Sequence, residues 1–375
     1  MSWLNVRYRV RTRAEDIESA ACALALEQSV EVPLDAVHDP FVRDHIAGRV
    51  VAIAQDGEGA FRVDIRLAVA TTGFDAAQTI NMLFGNSSLH DHVELVDVDF
   101  PDGFARHFAG PRFGIEGLRR ILGIPHRPLT CAALKPQGLA PDALASVCRT
   151  FALGGIDIVK DDHGLADQAY SPFVARVRAC QRAVEATRRE TGRLTLYAPS
   201  LVGAPKTLRE QARIVRDEGV GAVLVAPALV GMPAFHELVA DELEVPVLAH
   251  PAYMGAARVT PPLLLGKLFR LLGADAAIFP HSGGRFAYSS ALCSEIAAAC
   301  RSSWQGLRPV MPVPAGGMTI ERVPEIVRFY GPDVMLLIGG SLLLAGDALL
   351  ARTRDFVAGV ESAAADNARS VTERA

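Results

Sequence analysis

The sequence has no apolar run long enough to span a bilayer, and its first ten residues are too polar for a secretory leader. Both absences predict a cytoplasmic protein. Neither sign of charge prevails: 38 Lys and Arg stand against 42 Asp and Glu, a net −4. That balance gives no electrostatic case for nucleic acid or an anionic membrane as partner. Cysteine is scarce, six residues in 375. Cys22, Cys131, Cys148, Cys180, Cys293 and Cys300 show no C-x-x-C or finger spacing, which removes a structural zinc site and a dithiol redox motif. Their mostly apolar surroundings predict reduced, buried thiols.

What is present is core. Half of the residues are hydrophobic, and the length allows two or three domains, or one large α/β barrel with an appendage. Residues 1–115 read as an α+β domain. Strands are expected at 6–11, 50–54, 61–69 and 93–100, and helices at 15–27 and 74–84. Asp56-Gly57-Glu58-Gly59 marks a hairpin turn between the middle strands. The order βαββαβ predicts a ferredoxin-like antiparallel sheet with both helices on one face.

Residues 116–366 change to a repeat of strand then helix. Apolar strands are expected at 129–134, 156–159, 194–197, 222–225, 245–249, 276–279, 309–313 and 334–338. Helices are expected between them, among others at 141–151, 171–189, 208–217, 261–272 and 320–330. Eight such units at a spacing of roughly 25–30 residues match a (β/α)8 TIM barrel better than an open doubly wound sheet. Residues 367–375 read as a polar tail.

In such a barrel, active sites gather at the C-terminal ends of the strands. Lys160-Asp161-Asp162-His163 leaves the second strand, Lys135-Pro136-Gln137 the first, His250 the fifth and His281-Ser282 the sixth. A lysine, two carboxylates and an imidazole at one strand tip are costly to hold together unless they share a cation. Gly316-Gly317 leaves the seventh strand and Gly339-Gly340 the eighth, where bare backbone can approach a phosphate.

These residues, in this order, resemble the RuBisCO superfamily, specifically its non-carboxylating RuBisCO-like proteins. The resemblance rests on Gly154-Gly155-x-Asp157-x-x-Lys160-Asp161-Asp162, with Gly110-Pro111-x-x-Gly114-Ile115, Lys135-Pro136, His281-Ser282-Gly283 and the two glycine pairs. It implies that CO2 carbamylates Lys160 and that the carbamate binds Mg2+ with Asp162 as a second ligand. It implies that Lys135 moves protons, that His250 and His281 bind substrate, and that Gly316, Gly317, Gly339 and Gly340 hold a phosphate. Glu27 would be lent to a neighbouring subunit's site, making a homodimer or a multiple of dimers, with Asn81 or Asn86 as the companion asparagine.

Departures from the family pattern set further expectations. His163 replaces the glutamate expected as third metal ligand, which admits a softer ion such as Mn2+. The loop after strand six, Gly283-Gly284-Arg285-Phe286, lacks the lysine of carboxylases, so CO2 fixation is not expected. Pro251 stands where an arginine is expected, which implies a monophosphate, with Arg285 as a possible second anion contact. The leading expectation is metal-dependent decarboxylation of a phosphorylated β-keto sugar acid such as 3-oxo-isoapionate 4-phosphate, through an enediolate. A transcarboxylase or hydrolase acting on that substrate follows, then an enolase or isomerase of a methylthio-pentulose phosphate, then a non-catalytic phosphometabolite sensor.

Overall fold

The computed structural model describes residues 2–286 and 288–372. Four antiparallel strands form the N-terminal sheet: β1 (Trp3–Arg11), β2 (Arg49–Gln55), β3 (Ala60–Ala68) and β4 (Val93–Asp99), in the order β2-β3-β1-β4. Alternation in β1 buries Leu4, Val6, Tyr8 and Val10 on one face. Against that face lie the helices Ile17–Glu27 and Ala76–Phe84. Tyr8 donates to the Leu83 carbonyl at 2.5 Å, and Gln28 links the two helices by donating to the Met82 carbonyl at 2.9 Å. The ferredoxin-like expectation is met.

The barrel strands follow as β5 (Leu129–Leu134), β6 (Ile158–Asp161), β7 (Leu196–Ala198), β8 (Ser200–Leu201), β9 (Val223–Val225), β10 (Val247–Ala249), β11 (Ala276–Pro280), β12 (Met311–Ala315) and β13 (Met335–Ile338). All pairings among them are parallel. Pro199, which has no N–H, splits the third barrel strand into β7 and β8. One hydrogen-bonded run is β13-β5-β6-β7 and the other β12-β11-β10-β9-β8, with β12 and β13 packed side by side. Leu129, Cys131, Ala133, Ile158, Ala198, Leu224, Leu248, Ile278, Met311 and Leu337 fill the interior. The helix Gly114–Leu122 plugs its lower end through Ile115, Leu118 and Leu122.

Several boundaries differ from expectation, each for a local reason. The second barrel strand begins at Ile158 rather than 156. Gly155 turns at φ +90°, and the Ile156 N–H still bonds back to Phe151 at the preceding helix. Lys160 and Asp161 therefore lie within the strand, not beyond it. The single helix expected at 261–272 is a widened π turn, Pro262–Leu268, followed by one α turn. The last helix runs Leu349–Thr372, so much of the segment read as a polar tail is helical. Five cysteines are buried and free, but Cys22 is exposed, on the outer side of its helix. Among the described residues, no helix is long and apolar enough to cross a membrane.

The N-terminal sheet and the barrel are stitched together where the chain leaves β10. Leu95 of the edge strand β4 donates to the Arg258 carbonyl at 2.9 Å and accepts from Thr260 N–H at 3.0 Å. Lys267 adds an ion pair to Asp97 at 2.6 Å.

Candidate active site

Strand register assembles the site. Lys160 pairs in β6 with Ala133 of β5 on one side and Ala198 of β7 on the other. Those two methyl groups leave room inside the barrel for a long side chain. Leu134 pairs with Asp161, so the next residue, Lys135, comes out beside Asp162. Lys135 Nζ contacts Asp162 Oδ2, and His163 Nδ1 lies 2.8 Å from Asp162 Oδ1. The His163 ring stacks on His250 with centroids 4.1 Å apart and planes at 12°. Four of the expected residues, from three different strands, thus meet around one carboxylate.

The side chain of Lys160 is shut in, with 2 % of the residue exposed, and its Nζ donates to the Asp161 main-chain carbonyl at 2.9 Å. Burial lowers its pKa to about 8, with Lys135 adding to the effect and Cys131 and Asp161 opposing it. Burial, then Arg285, lowers Lys135 as well. His163 and His250 are both pushed down by burial and by the two lysines. Two lysines thus face the single carboxylate of Asp162, so the pocket favours an anion while Lys160 carries no carbamate.

That charge balance tests the expected metal. Among the described residues no three His, Cys, Asp or Glu are grouped to hold an ion. With Lys160 as ammonium, Asp162 and His163 alone are a poor cation site. Carbamylation replaces one positive charge with a negative group bearing two oxygens. The set of carbamate, Asp162 and His163 then suits a divalent ion.

His281 sits at the end of β11, buried, with Nδ1 2.9 Å from the Tyr330 hydroxyl. Its Nε2 is buried without a partner, the one orphaned imidazole nitrogen among the described residues. Burial first, and Arg322 second, lower its pKa to about 4. A neutral ring with one free nitrogen is suited to hydrogen-bond a substrate oxygen. Arg322 steadies the loop behind it by donating to the Ser282 carbonyl at 3.0 Å.

The glycine turns follow β12 and β13, beside the loop that carries His281. Gly316 and Gly317 both adopt positive φ, +81° and +75°. Gly284 of the neighbouring loop packs so closely that a Cβ there would lie 2.3 Å from the Gly316 carbonyl oxygen. Ser341 joins the Gly339-Gly340 turn to the seventh loop by donating to the Met318 carbonyl at 2.7 Å. Arg285 lies exposed over the Phe286 ring, 5.6 Å from its centroid. Gly284→Ala should push the His281 loop away from the Gly316-Gly317 turn and lower turnover about a hundredfold while the protein stays folded. Steady-state kinetics with a thermal melt would check it, and unchanged turnover would show that the close packing is incidental.

One expectation needs restating. Asp161 does not belong to the cluster: it points out of the barrel, against Arg176. Glu27 lies on the N-terminal domain, where it accepts from Asn86 Nδ2 at 3.0 Å, which favours Asn86 over Asn81 as its companion. Sequence reasoning missed Tyr330, Arg322 and Arg176, none of which stands in a recognisable motif.

A family model described as the ribulose bisphosphate carboxylase large chain, catalytic domain, matches residues 114–283. A Rhodospirillum rubrum protein named 5-methylthioribulose-1-phosphate isomerase is 51 % identical over 96 % of this chain and 97 % of its own. The chain belongs to the RuBisCO large-chain family, among its RuBisCO-like proteins. Ribulose bisphosphate carboxylase-like protein 1 of Rhodopseudomonas palustris is 53 % identical over 95 % of this chain and 97 % of its own. The crystal structure of a Rubisco-like protein from Rhodopseudomonas palustris superposes with a TM-score of 0.90 at 47 % identity. That superposition covers 96 % of this RuBisCO-like chain and 98 % of the other.

Proposed function

We propose that this RuBisCO-like protein is an isomerase of a 5-methylthio-pentulose phosphate, moving protons at the carbons beside a carbonyl. The observation that carries the reading is the 51 % identity, over nearly the whole of both chains, to the Rhodospirillum rubrum isomerase. Decarboxylation of 3-oxo-isoapionate 4-phosphate, foremost in the sequence reading, becomes the second. Both reactions pass through an enediolate and differ in what leaves the carbon, a proton or CO2.

The side chains suit the first step. Lys135, with its depressed pKa, can accept a proton from carbon and return it. Neutral His281 would hold a substrate oxygen at its free Nε2, with Tyr330 fixing the ring. His250, stacked under His163, would line the sugar. The backbone of Gly316, Gly317, Gly339 and Gly340 would take the phosphate, with Arg285 as a second anion contact. Carbamylated Lys160, Asp162 and His163 would hold Mg2+, or Mn2+, which when bound polarises the carbonyl and its neighbouring hydroxyl. Glu27 and Asn86 would complete the site of a partner subunit in a homodimer.

The test is incubation with 5-methylthioribulose 1-phosphate, Mg2+ and bicarbonate in D2O, followed by NMR. An isomerised product carrying deuterium beside the carbonyl is expected. Absence of both isomer and deuterium would refute the reading, and CO2 release from 3-oxo-isoapionate 4-phosphate would put decarboxylation in its place. Binding of either phosphate without turnover or metal would indicate a sensor. Activation by CO2 should also rise as pH increases through about 8, because only the neutral amine of Lys160 reacts. A flat activation profile across that range would count against the carbamate.

A further inference from the structure

Alternation along β6 sends Ile158 and Lys160 into the barrel and Asp161 outward, beneath the helix Phe173–Thr191. There Arg176 donates from Nε to Asp161 Oδ2 at 3.0 Å, and both side chains are 0 % exposed. The Tyr197 hydroxyl donates to Oδ1 at 2.8 Å and the Ser200 N–H to Oδ2 at 3.1 Å. An ion pair buried so completely loses hydration comparable to its own attraction, and apolar side chains of similar volume often serve stability as well. Stability alone is therefore a weak reason for this cluster.

Its other contacts supply a better one. Arg176 also donates from Nη1 to the Ser171 carbonyl and from Nη2 to the Ala166 carbonyl, each at 2.7 Å. One guanidinium thus grips the end of β6 and two points on the loop that carries His163. Within that loop, Gln168 donates to the Gly164 carbonyl at 2.7 Å and accepts from Ala166 N–H at 2.9 Å. On the inner side of the wall, the Asp161 carbonyl receives Lys160 Nζ. Asp161 is held from outside the barrel while it holds Lys160 inside.

We propose that Asp161, Arg176 and Tyr197 are positioning residues that fix Lys160, Asp162 and His163 in their reactive arrangement from behind the barrel wall. The inference rests on the assignment of chemistry to those three residues made above. It also gives the residues beyond His163 a part: Gly164, Ala166 and Gln168 wire the loop that the fork of Arg176 clamps. A lysine at 176 would keep the charge but could not span three acceptors in that fork geometry.

Tyr197→Phe and Arg176→Lys test this without leaving an unpaired buried charge. Turnover of 5-methylthioribulose 1-phosphate should fall about ten- to a hundredfold, as for other groups that orient a site from behind, with KM little changed. Amide hydrogen exchange should quicken in residues 162–171 and stay as it was in β9 to β11. Full turnover per folded molecule, with loop exchange unchanged or raised equally everywhere, would overturn the proposal. Lys160→Ala in the same assay separates the two claims: full activity there sinks the assignment of chemistry to Lys160. Should the wild-type protein leave that substrate untouched, isomerisation falls, and loop exchange alone decides for or against the clamp.

Discussion

Lys160→Met should abolish turnover, by at least about a thousandfold, and at the same time raise the melting temperature at pH 7 in CO2-free buffer. The first effect follows from position. Lys160 is the buried amine at the tip of β6, flanked by Ala133 and Ala198, and a thioether there can neither take up CO2 nor become an anion. The second follows from linkage. Burial lowers the Lys160 pKa from an ordinary 10.5 to about 8, so the unfolded chain binds this proton more tightly than the folded one. Between those two values the unfolded lysine keeps a proton that the folded lysine has released, and stability rises with pH across that window. Below pH 8 both are charged, and the folded state carries the whole penalty, about 3 kcal/mol at 1.36 kcal/mol per unit. Methionine fills a similar volume without charge and removes it. The advantage of the variant should be largest at pH 7 and shrink toward pH 10. Retained turnover would remove Lys160 from the chemistry. A melting temperature lowered at pH 7 would show that the ammonium is not under strain.

The same residue shows how far the sequence could be read. Its place at a strand tip, the lysine at 135 and the order of the glycine turns were visible, because barrel topology turns linear order into position on one rim. The ferredoxin-like order and β5, residues 129–134, were legible because their signals are local: alternation in the N-terminal strands, and a short, mostly apolar, wholly buried run in β5. The start of β6 was not, because Ile156 looks as apolar as Ile158, and only the Gly155 turn and its bond back to the previous helix separate them. The role of Asp161 was hidden by its company. Between Lys160 and Asp162 it looked like a third member of the site, and its partner Arg176 lies fifteen residues on, in a helix rich in other arginines. Tyr330 was hidden for a related reason: it ends one helix, while its hydroxyl serves a histidine 49 residues earlier. Contacts of that range carry no periodicity for a sequence to display.

Asp275→Ala should do the reverse of Lys160→Met, lowering stability by about 3–6 kcal/mol while leaving turnover per folded molecule close to unchanged. Asp275 is buried at the foot of β11, at the opposite rim from the candidate site. Its Oδ1 accepts from Phe113 N–H at 2.7 Å and Gly114 N–H at 2.8 Å, and its Oδ2 from Val247 N–H at 3.0 Å. One carboxylate therefore joins the segment entering the barrel plug to the neighbouring strand. Burial pushes its pKa up and those three N–H groups pull it down. Alanine would leave three buried donors without an acceptor, at about 1–3 kcal/mol each before water enters the gap. Asp275→Asn keeps the shape and one carbonyl oxygen, so it should lose clearly less than alanine does. Chemical denaturation of the three proteins, with kinetics on the fraction that remains folded, measures both quantities. A loss below about 1 kcal/mol in the alanine variant would mean that solvent already satisfies these donors. A large fall in turnover per folded molecule would mean that the two rims of the barrel are mechanically coupled. The expected outcome is separation: the lower rim holds the fold together, and the upper rim holds a charged lysine at the expense of stability.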